Sequence, residues 1–138
     1  MLKFPESRSA YWQQLKSECE KSSLISLLEK ALMLPGDVIE CGVFRGNSIR
    51  RIARQTKEIA PEKKIFALDS FEGFPNEAIS DVDTQLFRNI KRLRKEFKEA
   101  TDIPEQLMNF AKIYDVKLEI KKGYFENTLA KAFLLYPY

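Results

Sequence analysis

Apolar positions along the chain follow two rhythms, and their alternation sets the first expectation for its architecture. Between Arg8 and Glu18, Tyr11, Trp12 and Leu15 recur at helical spacing, predicting a short lead-in helix whose aromatic pair docks on a neighbouring surface. Ser22 and Ser23 stand as N-caps before a second helix. In it Leu24, Leu27, Leu28, Ala31 and Leu32 share a face, and Pro35 with Gly36 stops it. Asp37 to Val43 is then a short, nearly continuous apolar run with β-branched members, the pattern of a strand buried in a parallel sheet. Helical spacing returns with Ile49, Ile52, Ala53 and Ile59, leaving Arg50, Arg51, Arg54 and Lys57 to face away, and Pro61 closes that helix. A second apolar run spans Lys64 to Phe71 and leads into a turn at Glu72 to Pro75.

The second half repeats the alternation. From Asp81 to Ala100, Leu86, Ile90, Leu93 and Phe97 mark a long amphipathic helix whose other face is basic. A further helix is expected from Pro104 to Asp115, with proline in its first turn. Val116 to Ile120 alternates apolar and charged residues as a half-exposed edge strand does, and Gly123, Tyr124 and Phe125 precede a last helical segment, ENTLAKAFLLY. Strands separated by helices predict an α/β fold with a parallel sheet and right-handed crossovers. With no repeat, linker or low-complexity segment in its 138 residues, the chain reads as a single domain over 1–138, with 1–34 as a helical N-terminal extension.

Composition narrows the chemistry. A net charge of +3 is too slight to argue for nucleic acid, and beyond Phe87 and Phe97 nothing aromatic alternates with the basic residues of the long helix. The chain has no histidine, which removes imidazole bases and the usual zinc sites. Its two cysteines, Cys19 and Cys41, are not in a CxxC arrangement. There is no secretory h-region and no apolar run of about 18 residues, so the expected setting is reduced and cytoplasmic, with no membrane partner.

The stretch from Pro35 to Pro75 carries the candidate site. In an open parallel sheet, ligands bind beyond the carboxyl ends of the strands. Glu40, Gly42 and Gly46 fall at that end of the first strand, and Asn47 and Ser48 open the helix that follows, whose free amides suit a carboxylate or phosphate. The second strand ends at Asp69, 23 residues after Gly46, a place from which an acid can accept hydrogen bonds from two ribose hydroxyls. The loop is ExGxxxG and not the dinucleotide GxGxxG. Four of the five glycines nevertheless lie at or just beyond predicted strand ends, so one edge of the sheet is being shaped.

GDVIECGVFRGNSIRRIA, FALDSFEGFP and KKGYFENTL, in that order, resemble three successive motifs of the macrocin O-methyltransferase (TylF/MycF-like) family of class I S-adenosylmethionine-dependent methyltransferases, and DSFEGFP is the most specific of them. The resemblance spans Pro35 to Leu129 and covers the N-terminal portion of the family pattern only. It implies a Rossmann-like class I methyltransferase fold, truncated here to about three parallel strands with flanking helices, and methyl transfer to a small-molecule hydroxyl such as that of a sugar or other secondary metabolite. It also implies that Glu40, Gly42 and Gly46 line the methionine half of S-adenosylmethionine, with Ser48 near its carboxylate. Asp69 would hold the ribose, flanked by Ser70 and Phe71, and Gly123, Tyr124 and Phe125 would lie on the adenine side.

The family uses a divalent metal (Mg), bound at a DGD-like strand end that does not occur in this chain. The acid-base groups of the candidate region are Glu72, Asp81, Asp83 and Tyr124, and none of them is singled out as the base. The first strand is expected to present an unpaired apolar edge, open to homo-oligomer formation. The alternative is a non-catalytic binding module or an inactive remnant, with the basic helix 86–98 meeting a polyanion or a protein partner.

Overall fold

The computed structural model of the chain describes residues 8–73 and 102–134. Within them the order is α1 (Arg8–Glu20), α2 (Ser23–Ala31), β1 (Val38–Cys41), α3 (Asn47–Ile59), β2 (Ile65–Asp69), α4 (Ile103–Tyr114), β3 (Leu118–Lys122) and α5 (Phe125–Leu134). The expected helix at 81–100, its basic face at 86–98 and the acids Asp81 and Asp83 lie outside the described residues.

The three strands form one parallel sheet in the order β1-β2-β3. Register partners share a face, so Val38, Ile65 and Leu118 stand level on one side, with Glu40, Ala67 and Ile120 one step further along. That side meets the main core, in which Ile49, Ile52 and Ala53 of α3 pack with Leu107 and Phe110 of α4. Phe66 and Leu68 point to the other side, where they too are buried and where α5 packs on β2. Burial on both faces explains why β2 reads as an unbroken apolar run. Among the described residues β1 pairs only with β2, and Ile39 on it is 39% exposed.

Helix α1 is fastened by the aromatic pair that the sequence singled out for docking. Trp12 stacks on Tyr114 with ring centroids 4.6 Å apart, and Tyr11 meets Phe110 edge-on at 6.4 Å. The Tyr114 hydroxyl donates to the Arg8 carbonyl at 3.0 Å, so α1 and α4 are joined at both levels.

Several expectations are corrected. Arg50 and Arg54 do not face away from the core: they are 2% and 5% exposed, whereas Ile59 is 42% exposed. Helix α3 is covered on its flank as well as on the sheet. Arg54 lies over the Trp12 ring at 5.2 Å and donates to the Trp12 carbonyl at 3.0 Å. In α2 the inward face is Ile25, Leu28 and Leu32, while Leu24 and Leu27 are exposed. Ser22 occupies the N-cap position of α2 with extended backbone, but its side chain makes no capping hydrogen bond.

The third strand starts two residues later than expected. The Val116 amide is still bonded to the Ala111 carbonyl at 2.9 Å, closing α4 after the left-handed Asp115, so pairing begins only beyond it. No helix among the described residues is long and apolar enough to cross a membrane.

The two faces of α2 make different demands. Ile25→Ala should cost about 2–5 kcal/mol in a urea titration, whereas Leu27→Gln should stay within about 0.5 kcal/mol of the parent chain. Equal costs at the two positions would contradict this orientation of the helix.

Candidate functional site

Between the last residue of β1 and the first of α3 the backbone curls tightly. Gly42 (φ 88°), Phe44 (φ 51°) and Gly46 (φ 76°) are all left-handed. The two glycines serve different ends. A Cβ on Gly46 would stand 2.9 Å from Leu107 Cδ2, so close packing of α4 demands its absence. A Cβ on Gly42 would meet no described residue within 4 Å, leaving space beside the strand end. Phe44 has no such freedom, and a non-glycine residue held at positive φ costs about 1–3 kcal/mol.

Asp69 offsets that strain. Its Oδ2 accepts the Val43 amide at 2.7 Å and the Phe44 amide at 3.0 Å, while Oδ1 accepts the Phe71 amide at 2.9 Å. Phe71 is itself left-handed (φ 54°). One carboxylate at the end of β2 thus fixes the turns that follow both β1 and β2. Its oxygens retain lone pairs for a further donor, since an ionised carboxylate offers about four acceptor sites.

Glu40 is the second acid of the site. It lies on the α3 side of the sheet, level with Ala67 and Ile120, and Ser48 of the first α3 turn is close enough to favour its charged form. Its Oε2 is buried with no hydrogen-bond partner among the described residues. Burial pushes the Glu40 carboxyl above its ordinary range; Ser48 and the nearby Arg51 pull it back in part, and the Asp69 charge adds to the rise. A buried carboxylate oxygen without a donor calls for a cationic or N–H-bearing ligand.

The loop after β3 joins this group through the backbone. The Gly123 amide donates to the Asp69 carbonyl at 2.9 Å, and Gly123 has φ 145°. Tyr124 and Phe125 follow with exposed rings at 38% and 41%. Ser70 is engaged locally, donating to the Gly73 carbonyl at 3.3 Å and accepting the Glu72 amide at 3.2 Å. Phe71 turns its ring into the core, 4% exposed, so it offers the site only its backbone.

The ten residues expected from the sequence therefore all sit at or just beyond the carboxyl ends of the three strands, with Glu40, Gly42, Ser48 and Asp69 drawn most closely together. Arg50, buried beneath Gly46, was missed. The available signal was its position four residues after Gly46 on the helix, directly under the loop. Among the described residues no group of three or more His, Cys, Asp or Glu could hold a metal ion. The metal that the resemblance implies thus finds no donor set among them.

Comparison with known proteins agrees with this architecture. A family-wide sequence model described as Macrocin-O-methyltransferase (TylF) matches residues 23–134. A mycinamicin III 3''-O-methyltransferase of Micromonospora griseorubida is 28% identical over 121 residues, covering 80% of this chain and 46% of its own. The chain thus spans about half the length of this relative. Among solved structures, the O-methyltransferase NovP is 26% identical with a TM-score of 0.51, over 78% of this chain and 47% of its own. The calicheamicin methyltransferase CalS11 has a TM-score of 0.59 over 98% of this chain and 64% of its own; at 18% identity it speaks for the fold alone.

Two outcomes follow for the acids. Asp69→Asn puts an amide N–H₂ where a carboxylate oxygen accepts backbone N–H groups, and should cost about 1–3 kcal/mol of stability in urea unfolding. Glu40 works in the opposite sense. Its folded pKa is raised, so the native state holds the proton that the unfolded state has already released, and stability falls as pH rises from the ordinary carboxylate range through the raised value. Glu40→Gln should therefore be more stable than the parent chain above that window and lose its advantage below it. Parallel stability-against-pH curves for the two proteins would refute the assignment.

Proposed function

We propose that this chain, which belongs to the macrocin-O-methyltransferase (TylF) family, binds S-adenosylmethionine across the carboxyl ends of β1, β2 and β3 and serves methyl transfer to a small-molecule hydroxyl, that of a sugar or other secondary metabolite. The observation that carries the reading is the unpartnered, buried Oε2 of Glu40 beside the open side of Gly42. An amino-acid ammonium is a donor suited to that oxygen, and a glycine without neighbours lets the ligand approach the backbone.

Each residue has a definite task in this reading. Glu40 accepts from the ligand's ammonium, and Ser48 favours its charged form. The amides of the first α3 turn face the ligand's carboxylate, as helix N-termini do. Asp69 fixes the loop with three backbone bonds and has about one acceptor site left, on Oδ1, for a ribose hydroxyl. Gly42 and Gly46 shape the curl, and Ser70 and Phe71 hold the turn after Asp69. Gly123, Tyr124 and Phe125 border the adenine side.

When bound, S-adenosylmethionine supplies an electrophilic methyl group on a sulfonium centre. What the protein adds is placement of the acceptor oxygen, the entropic part of catalysis. A cleft of about 620 Å³ is lined by Tyr11, Glu18, Lys21, Ser22, Asn47 and Arg51 among others. Asn47 and Arg51 lie on the first turns of α3 with Ser48, and Arg51 also acts on Glu40, so an acceptor in the cleft would lie near a cofactor at Glu40. Its many hydrogen-bonding side chains suit a hydroxyl-rich acceptor. Cys19 and Cys41 are free thiols, in keeping with the reducing cytoplasm we assign it.

Titration calorimetry with S-adenosylhomocysteine tests the reading. The chain should bind it, and Glu40→Gln, a variant expected to be stably folded at neutral pH, should bind about tenfold more weakly through loss of one charge-assisted hydrogen bond. Absence of binding to the parent chain, or equal affinity of the two proteins, would sink the proposal.

A further inference from the structure

We propose that Arg50 is a positioning residue, a buried cation that ties the Arg45 carbonyl to α4 and so holds the β1–α3 curl in its ligand-ready shape. The inference rests on the cofactor reading above, but its structural part can be judged without a ligand.

Arg50 is 2% exposed, and its bonds are specific. Nη1 donates to the Arg45 carbonyl at 3.0 Å, and Nη2 reaches Gln106 Oε1 at 3.5 Å. The Gln106 amide in turn donates to Asp102 Oδ2 at 2.6 Å, so an acid at the start of α4 orients the acceptor that faces the guanidinium. Nε is buried with no partner, and no carboxylate among the described residues comes within ion-pair distance of Arg50. The guanidinium lies directly under the curl: a Cβ on Gly46 would stand 3.3 Å from Nη1.

This is a poor arrangement for stability. A charge removed from water without a counter-ion is costly, and an apolar side chain of similar length would pack at less expense. Burial lowers the pKa of Arg50 accordingly. What the cation does supply is a donor for one particular carbonyl. Arg45 lies between the left-handed Phe44 and Gly46; the peptide group it shares with Gly46 is held at its N–H end by the Val43 carbonyl at 2.8 Å, and Arg50 takes the carbonyl end. Asp69 restrains the curl by accepting the amides of Val43 and Phe44; Arg50 restrains it from below by donating to the Arg45 carbonyl. The two clamps act on peptide groups on either side of the one between Phe44 and Arg45, one from β2 and one backed by α4.

The test measures affinity and stability separately. Arg50→Met should leave the chain as stable as the parent or more so in urea unfolding. Its S-adenosylhomocysteine affinity should be about tenfold lower, and the amide NMR signals of Phe44 and Gly46 should be displaced. Gln106→Leu removes the α4 anchor while leaving Arg50 in place, and should displace the same signals with a smaller loss of affinity. A purely structural role predicts the reverse, a less stable Arg50→Met that binds as tightly as the parent once its unfolded fraction is allowed for, and that result overturns the proposal. Should Arg50→Met fail to fold, Gln106→Leu decides: unmoved Phe44 and Gly46 signals overturn the proposal, and displaced ones sustain it. If the parent chain binds no S-adenosylhomocysteine, the functional reading falls, while the displacements in the unliganded variants still judge the clamp.

Discussion

Three backbone amides converge on the carboxylate of Asp69, and the shape of the strand-end surface depends on that convergence. Val43 and Phe44 belong to the turn after β1, and Phe71 to the turn after β2. Two of these three residues have left-handed backbones that a side chain disfavours. Each strained residue costs about 1–3 kcal/mol, and hydrogen bonds to a charged acceptor return about 1.5–3 kcal/mol apiece. Three such bonds outweigh the two costs by about 3 kcal/mol, so the turns are held with a modest surplus.

The same carboxylate determines how the rest of the site is spaced. Because Asp69 draws Val43 and Phe44 towards β2, β1 stops at Cys41 and Gly42 makes the last ladder bond, to the Leu68 carbonyl at 2.9 Å. The chain then turns into α3, whose first turn brings Ser48 near enough to favour the charged form of Glu40. The Asp69 carbonyl meanwhile receives the Gly123 amide, so the β3 loop is referred to the same residue. Glu40 is set apart by contrast: its environment raises its pKa and leaves one oxygen without a partner. The two acids divide the work, one building the cradle and one left unsatisfied within it.

Much of this was legible in the chain. The alternation of apolar runs and helical stripes gave the order of elements, and glycines concentrated at strand ends marked the correct edge of the sheet. The docking of Tyr11 and Trp12 was also foreseen, since two aromatic rings on a short helix need a surface. What periodicity could not supply was cover. Arg50 and Arg54 fall on the flank of the apolar stripe of α3, and whether a flank is wet depends on α1 and α4, elements distant in sequence. The face of α2 failed for the same reason: with leucines on several sides, the neighbour chooses which are buried, and it chose Ile25. The start of β3 was misplaced because Val116 still closes the preceding helix, a matter of one amide bond invisible to hydropathy.

Three local costs fall between residues 40 and 50: the left-handed Phe44, the buried Arg50 with no counter-ion among the described residues, and the Glu40 oxygen with no donor among them. A sequence selected for stability alone has simple remedies for each, such as a glycine at 44, a methionine at 50 and a glutamine or an apolar residue at 40. Elsewhere among the described residues such departures are more scattered: Phe71 and Asp115 are also left-handed, the Thr56 hydroxyl is buried without a partner, and apolar side chains otherwise fill the core. Departures from local consistency concentrate where a protein does its work. Here they coincide with the open side of Gly42 and the first turn of α3. The strain is arranged around a space, and that space is where a ligand's ammonium would meet Glu40.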